Sequence, residues 1–229
     1  MTGTSQQTVS SAEHITSWIR NRSALRRRHP RVNDLARTLQ AALGQPGEGS
    51  SDFDLNPDTV LPEGRRLRPA GVLIPVSVAH GEPRVILTKR SSALKHHPGQ
   101  IAFPGGKQDD GDRDVIAAAL REAREEIGLP ETVPQVIGQL PQHETVTGFN
   151  VTPVVALITQ TFDVVPEPGE VDEVFSVPLS HLMNPANYLI ESRIWRGTRR
   201  YYFTVPFGPY YIWGATARML RGLAARIAE

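Results

Sequence analysis

The 229-residue sequence contains no cysteine, which excludes a disulfide framework, a thiolate metal site and a cysteine nucleophile and fits a reducing cytoplasm. It also lacks any apolar run near the ~18 residues that a membrane helix requires. Met1–Ser11 has neither the charged start nor the apolar centre of a secretory signal, so we expect a cytoplasmic protein with no membrane partner. Lysine is scarce, 3 residues against 22 arginines, and the net charge is only +1. So balanced a total does not by itself point to nucleic acid. The apolar share of 39% is that of a globular domain with a sizeable core rather than a disordered chain.

Composition then divides the chain. Residues 1–11 are rich in Ser, Thr and Gln and read as a disordered tail. Ile15, Trp18 and Ile19, then Leu35, Leu39 and Leu43, recur at helical spacings on either side of Pro30, predicting two short helices rather than one. Gly44 to Arg68 turns to Gly, Pro, Ser and Asp, as in a linker. Strands are predicted at Ala70–Ala79, at Arg84–Lys89 as its hairpin partner across His80-Gly81-Glu82-Pro83, and at 133–140, 151–159, 173–178, 188–195 and 200–205. Helices are predicted at Asp114–Ile127 and Ala215–Ala228. The expected fold class is α/β, an α+β mixed sheet, with residues 1–66 as tail, short helices and linker and 67–229 as one domain. Seven arginines between Arg20 and Arg37 suit phosphate contacts or a solvated helical face. No stacking aromatics are interleaved with them, so we favour the solvated face and expect no nucleic-acid partner.

The chemistry concentrates between Ile101 and Leu129. Phe103-Pro104-Gly105-Gly106 makes a turn that few side chains permit, and an acidic loop follows with Asp109, Asp110 and Asp112. Asp112 or Asp114 is placed to cap the next helix and Gly128 to end it. Within that helix Ile116, Leu120, Ala123 and Ile127 share a core stripe. Glu122, Glu125 and Glu126 share another face, at i, i+3 and i+4. At roughly 100° per residue the carboxylates fall nearly opposite that stripe. Carboxylates so close repel one another; a hard divalent cation such as Mg²⁺, which takes oxygen ligands and shares itself with phosphates, reverses the sign of that interaction.

Gly106, Asp112 and Arg121-Glu122-Ala123-Arg124-Glu125-Glu126-Ile127-Gly128-Leu129 resemble the box of the Nudix hydrolases. Asp112 stands where that box usually has Glu, and one extra residue separates it from Arg121. The resemblance implies a Nudix α/β/α sandwich with an N-terminal helical extension, and hydrolysis of a diphosphate joined to another moiety. It further implies Mg²⁺ or Mn²⁺ held by Glu122, Glu126 and Glu125 with the Gly106 carbonyl. Glu125 and Glu126 are candidates for the general base, and Arg121 orients the carboxylates or the loop.

Upstream, Leu87-Thr88-Lys89-Arg90-Ser91, then Lys95-His96-His97-Pro98-Gly99 and Phe103-Pro104-Gly105-Gly106, resemble the coenzyme A diphosphatase branch of that family, which shares the extra residue in the box. Lys95 stands where the branch often has Arg. The branch implies cleavage of coenzyme A, or its acyl or oxidised forms, to 3′,5′-ADP and 4′-phosphopantetheine, and a homodimer. Arg90, Lys95, His97, Phe103, Gly105 and Gly106 become the candidate substrate-binding residues. Glu144 and Glu170 are further candidates for the base. Trp213–Ala217 reads as the start of the last helix. Arg193, Arg196, Arg199 and Arg200 surround Trp195 on a predicted hairpin, which we read as an edge kept soluble rather than as a contact for the 3′-phosphate. Two other functions fit parts of the pattern: hydrolysis of ADP-ribose or a dinucleotide such as NADH, and a non-catalytic nucleotide- or RNA-binding regulator on the same scaffold.

Overall fold

The computed structural model describes residues 32–61, 63–195 and 197–228. Arg31–Glu229 form one compact unit; the other unit, Met1–Pro30, and with it the first predicted helix and most of the arginine run, lies outside the described residues.

Two ten-residue strands form the centre. Strand β2 (Arg68–Ser77) and strand β8 (Phe149–Ile158) run parallel, paired from Arg68↔Phe149 to Ser77↔Ile158. Both are apolar along most of their length because both of their faces are covered. Ile74, Val76, Val155 and Leu157 enter one core, while Leu73, Val154, Ala156 and Ile158 enter the other, the period-2 alternation of a strand. Around them lie β1 (Ser50–Ser51), β3 (Arg84–Arg90), β4 (Ile101–Ala102), β5 (Gly105–Lys107), β6 (Gln135–Gln139), β7 (His143–Glu144) and β9 (Val171–Pro178). The order is β1-β7-β8-β2-β3-β4, with β5 on β2, β6 on β8 and β9 on β3.

Prolines mark the joints of this sheet. Along β2, β5 pairs with Ala70–Val72 and β3 only with Val76 and Ser77, so Pro75 falls in the gap between them. On β8, Pro153 sits between the residues paired with β7 and those paired with β6. A residue with no N–H is tolerated where a ladder is interrupted.

Helix α2 (Val115–Ile127) covers one face and helices α1 (Val32–Gly44) and α4 (Ala215–Ala228) the other, giving the α/β/α sandwich. A short helix α3 (Leu179–Leu182) follows β9, and strands β10 (Leu189–Trp195) and β11 (Thr198–Thr204) form a separate two-stranded hairpin. The α1 and α4 boundaries and the long strands follow the sequence periodicity. The stretch expected as linker is tied into the unit: Ser50 and Ser51 pair in parallel with His143 and Glu144. Further along it, Asn56 exchanges two hydrogen bonds with the Tyr201 backbone, and Asp54 accepts from Arg218 at 2.7 Å.

Candidate active site

Asp114 is the N-cap of α2, its carboxylate accepting the Ala117 N–H at 2.8 Å, and Gly128 ends the helix with φ 70°. Such a cap is worth about 1 kcal/mol. The N-terminal end of the helix lies so close to β2 that a Cβ at Gly71 would collide with the Val115 carbonyl oxygen. At its C-terminal end the Val165 and Glu167 N–H groups donate to the Ile127 and Glu126 carbonyls, satisfying groups the helix leaves open.

This seating turns the helix more than the sequence stripe suggests. Ala119, Ala123 and Ile127 enter the core with Ile116 and Leu120 only partly buried, and Glu126 is itself 5% exposed. The carboxylates are therefore not opposite the core. They border it, against strand β5. A Cβ on Gly106 would stand 2.5 Å from the Glu122 Cδ and Oε1 atoms, and one on Gly105 (φ 154°) would stand 2.5 Å from the Val72 Cα. Only a Gly-Gly strand fits between β2 and these acids. The Gly105 N–H donates to Glu126 Oε2 at 3.3 Å.

Burial and its two acidic neighbours, Glu122 and Glu170, push the Glu126 carboxyl up to about 8, against the opposing pull of the Gly105 N–H and Arg90. Glu122 is raised too, chiefly by burial and then by Glu125 and Glu170, although Arg121 holds it down. Strand β9 and the turn before it thus bring Glu170 into the same field as the helix acids. Glu144 forms an ion pair with Arg65.

Arg121 organises this end. Its Nε and Nη2 donate to Asp112 Oδ1 and Oδ2, both at 3.0 Å, and its Nη1 to Glu122 Oε1 and Glu125 Oε2, both at 2.9 Å. Nη2 also reaches the Lys107 carbonyl at 3.2 Å. This bidentate fork ties Asp112 to the arginine, and Arg121 holds carboxylates and loop together. Glu125, expected as third ligand or base, is 47% exposed, pairs with Arg121 and Arg124 and shares the Arg121 Nη1 with Glu122.

Among the described residues, no three His, Asp or Glu side chains converge as a finished metal cage. The donor set nevertheless suits a hard cation. A buried carboxylate, Glu126, and a half-buried one, Glu122, lie against a backbone with no side chain in the way, and Mg²⁺ characteristically takes one or two protein carboxylates, several waters and substrate phosphates.

The segment between β3 and β4 forms a closed loop. The Arg90 N–H donates to the Gln100 carbonyl and the Gly99 N–H to the Arg90 carbonyl, both at 3.0 Å. Ser92 is held by Asp172 through its N–H at 2.9 Å and its hydroxyl at 2.7 Å, and the Ser91 N–H donates to the Glu170 carbonyl. His97 adopts φ 55°. Desolvation, then Arg90 and His96, hold its imidazole below the ordinary value. Lys95 and His96 are exposed on the loop. Phe103, expected to touch substrate, is 3% exposed and packs in the larger core; it fixes the turn from within.

Sequence reasoning missed His143 and Asp52. His143 is fully buried, with Nδ1 2.9 Å from Ser50 Oγ and Nε2 3.2 Å from Asp52 Oδ1, while Asp52 Oδ2 accepts the Val146 N–H at 2.9 Å. A lone histidine and an aspartate 91 residues apart carry no local signal. Of the arginines expected around Trp195, Arg196 lies outside the described residues, and Arg193 lies over Trp213, its Cζ 4.3 Å from the ring centroid.

Comparison with known proteins gives the family. The NUDIX domain family matches residues 67–195. The chain is 43% identical over 162 residues to "Uncharacterized Nudix hydrolase NudL" of Cronobacter sakazakii, covering 71% of this chain and 84% of that one. To the protein of the same name in Citrobacter koseri it is 42% identical over 177 residues, covering 77% and 92%. Among solved structures, a C. elegans Ap4A hydrolase binary complex aligns over 48% of this chain and 80% of that one at 20% identity and TM-score 0.41. The NUDIX domain of Shewanella oneidensis NrtR complexed with ADP ribose aligns over 54% and 80% at 14% identity and TM-score 0.41. The chain belongs to the Nudix family. It is a hydrolase acting on a diphosphate substrate, in a family that generally uses divalent metals such as Mg²⁺ or Mn²⁺. No helix among the described residues is long and apolar enough to cross a membrane.

Proposed function

We propose that this Nudix hydrolase cleaves the diphosphate of coenzyme A, releasing 3′,5′-ADP and 4′-phosphopantetheine, or the corresponding derivative from an acylated or oxidised form. One observation carries the reading. The loop bearing the Arg90-to-Gly99 pattern is pinned at its neck by Arg90, which lies close enough to Glu126 to lower that carboxyl's pKa. A cation is thereby set beside the acids, where a diphosphate would bridge both.

Glu122, Glu126 and the Gly106 carbonyl would hold Mg²⁺ or Mn²⁺, which when bound neutralises diphosphate oxygens and acidifies a water. The remaining work falls to the chain. Arg121 fixes Glu122, the Gly105 N–H fixes Glu126, and Glu125 acts through Arg121 as its counter-ion. Arg90 and Lys95 supply charge to the phosphates. His97, kept neutral near pH 7 by its lowered pKa, supplies a hydrogen bond in place of a charge. Glu170, which reaches the acids from strand β9's side, takes the proton of the attacking water as its oxygen bonds to phosphorus and the anhydride P–O bond breaks. A second copy of the chain as partner follows from the resemblance alone, and light scattering of the purified protein, returning one or two chain masses, decides it.

The test is mass-resolved product analysis with coenzyme A, ADP-ribose and NADH, each with Mg²⁺ or Mn²⁺. Metal-dependent 3′,5′-ADP from coenzyme A at the highest rate supports the proposal. Turnover confined to ADP-ribose or NADH overturns it.

A further inference from the structure

On the separate hairpin, Glu191, Arg193 and Arg200 of one face stand opposite Tyr202, Arg200 and Arg193 in the pairing register, and this face meets Trp213. Tyr202 packs edge-on against the Trp213 ring at 5.1 Å between centroids, and the Arg193 guanidinium lies over that ring. Glu191, the acid of the same hairpin face, is already engaged, accepting the Tyr211 hydroxyl at 2.5 Å. Among the described residues Arg193 has no hydrogen bond or ion pair. It is nonetheless exposed, with its Cζ 4.3 Å from the centroid of the indole.

Trp213 joins this place to the site already described. The next residue, Gly214, lies against Gln100, with Gln100 Nε2 3.7 Å from where a Cβ would stand, and Thr216 donates to the Ile101 carbonyl at 3.1 Å. Gln100 in turn accepts the Arg90 N–H. His97 feels the charge of both Arg90 and Arg193. A cation stacked on an aromatic ring, without a carboxylate and adjacent to the diphosphate loop, has the fork geometry that pairs with phosphate.

We propose that Arg193, braced on Trp213, is a specificity-determining anion subsite that receives a phosphomonoester on the nucleoside half of the substrate, apart from the diphosphate at Glu122 and Glu126. The inference rests on the reading of the site as one for a nucleoside-diphosphate conjugate, and it assigns the hairpin the substrate contact that edge solubility alone would not.

The experiment measures calorimetric binding of adenosine 3′,5′-bisphosphate and adenosine 5′-monophosphate, with Mg²⁺ present, to the wild type and to Arg193→Ala. The wild type should prefer the bisphosphate by about 10- to 100-fold, the worth of a charge-assisted pair, and Arg193→Ala should bring the two ligands within about twofold. Arg193→Lys, which keeps the charge and loses the fork, should recover only part of the preference. A wild type without preference, or an Arg193→Ala variant that retains it, overturns the subsite. Coenzyme A turnover is followed separately. A lost preference in Arg193→Ala with no turnover would uphold the subsite and reject the proposed activity; turnover with no preference would do the reverse.

Discussion

Arg121 and Arg193 bring the same side chain into opposite surroundings. Arg121 divides its donors among Asp112, Glu122, Glu125 and the Lys107 carbonyl, and still leaves Glu126 buried and raised. Beside Arg193 the acid of the hairpin face, Glu191, is already paired to the Tyr211 hydroxyl. One end of the site has acid in excess, which a cation relieves. The other has cation in excess, which an anion relieves. A metal-bound polyphosphate satisfies both at once, and neither end is explained by folding alone, because each would be more stable with its surplus charge removed.

Removing the acid surplus should have the largest effect. Glu126→Gln is expected to lower kcat on the order of 10³-fold, several kcal/mol of lost charge stabilisation. Its melting temperature should be unchanged or higher, since a buried carboxylate gives way to a neutral amide. A collapsed melting temperature would mean that Glu126 is structural. Next comes the arginine that organises that end. Arg121→Ala should cost about 10- to 100-fold in kcat/KM, as for residues that orient metal ligands, and Arg121→Lys should not restore it because one ammonium cannot span two forks. Steady-state kinetics checks both, and full activity in Arg121→Lys would reduce the hub to simple charge.

A smaller effect follows from crowding the glycine strand. Gly106→Ala places a methyl 2.5 Å from the Glu122 carboxyl, so the apparent Mg²⁺ requirement should rise by about tenfold. Metal titration of the initial rate measures it. Smallest is a change remote from the acids. Asp52→Asn weakens the partner of buried His143 and should lower stability by about 1–3 kcal/mol, read from denaturant unfolding. No loss would show that the polar tie holding β1 to β7 is incidental.

What could be read from the chain alone follows the same division. Helix α2, its cap as one of Asp112 or Asp114, its Gly128 stop and the Gly105-Gly106 turn were legible because each depends on neighbours within a turn or two. The long strands were legible through alternation and apolar runs. Strands of two or three residues, β1, β4, β5 and β7, carry no periodicity, and their pairing is settled by partners far away in sequence. For Glu125, helical spacing gives a face and not a partner: the fold adds that it pairs with Arg121 and Arg124. For Phe103, a residue beside a glycine turn can point either way, and the fold packs it in the core. Likewise, Arg193 was visible as one basic residue of several, and its distinction came from Trp213, which another segment delivers.

The central claim is that Glu122 and Glu126 are gathered against the glycine strand to bind a divalent cation. Calorimetric titration of Mn²⁺ into the wild type and into Glu126→Gln, each with adenosine 3′,5′-bisphosphate present, tests it most directly. The account predicts saturable uptake by the wild type that is lost or at least tenfold weaker in the variant, several-fold loss being the least expected of a removed ligand. Equal uptake by both proteins, or none by either, would contradict it.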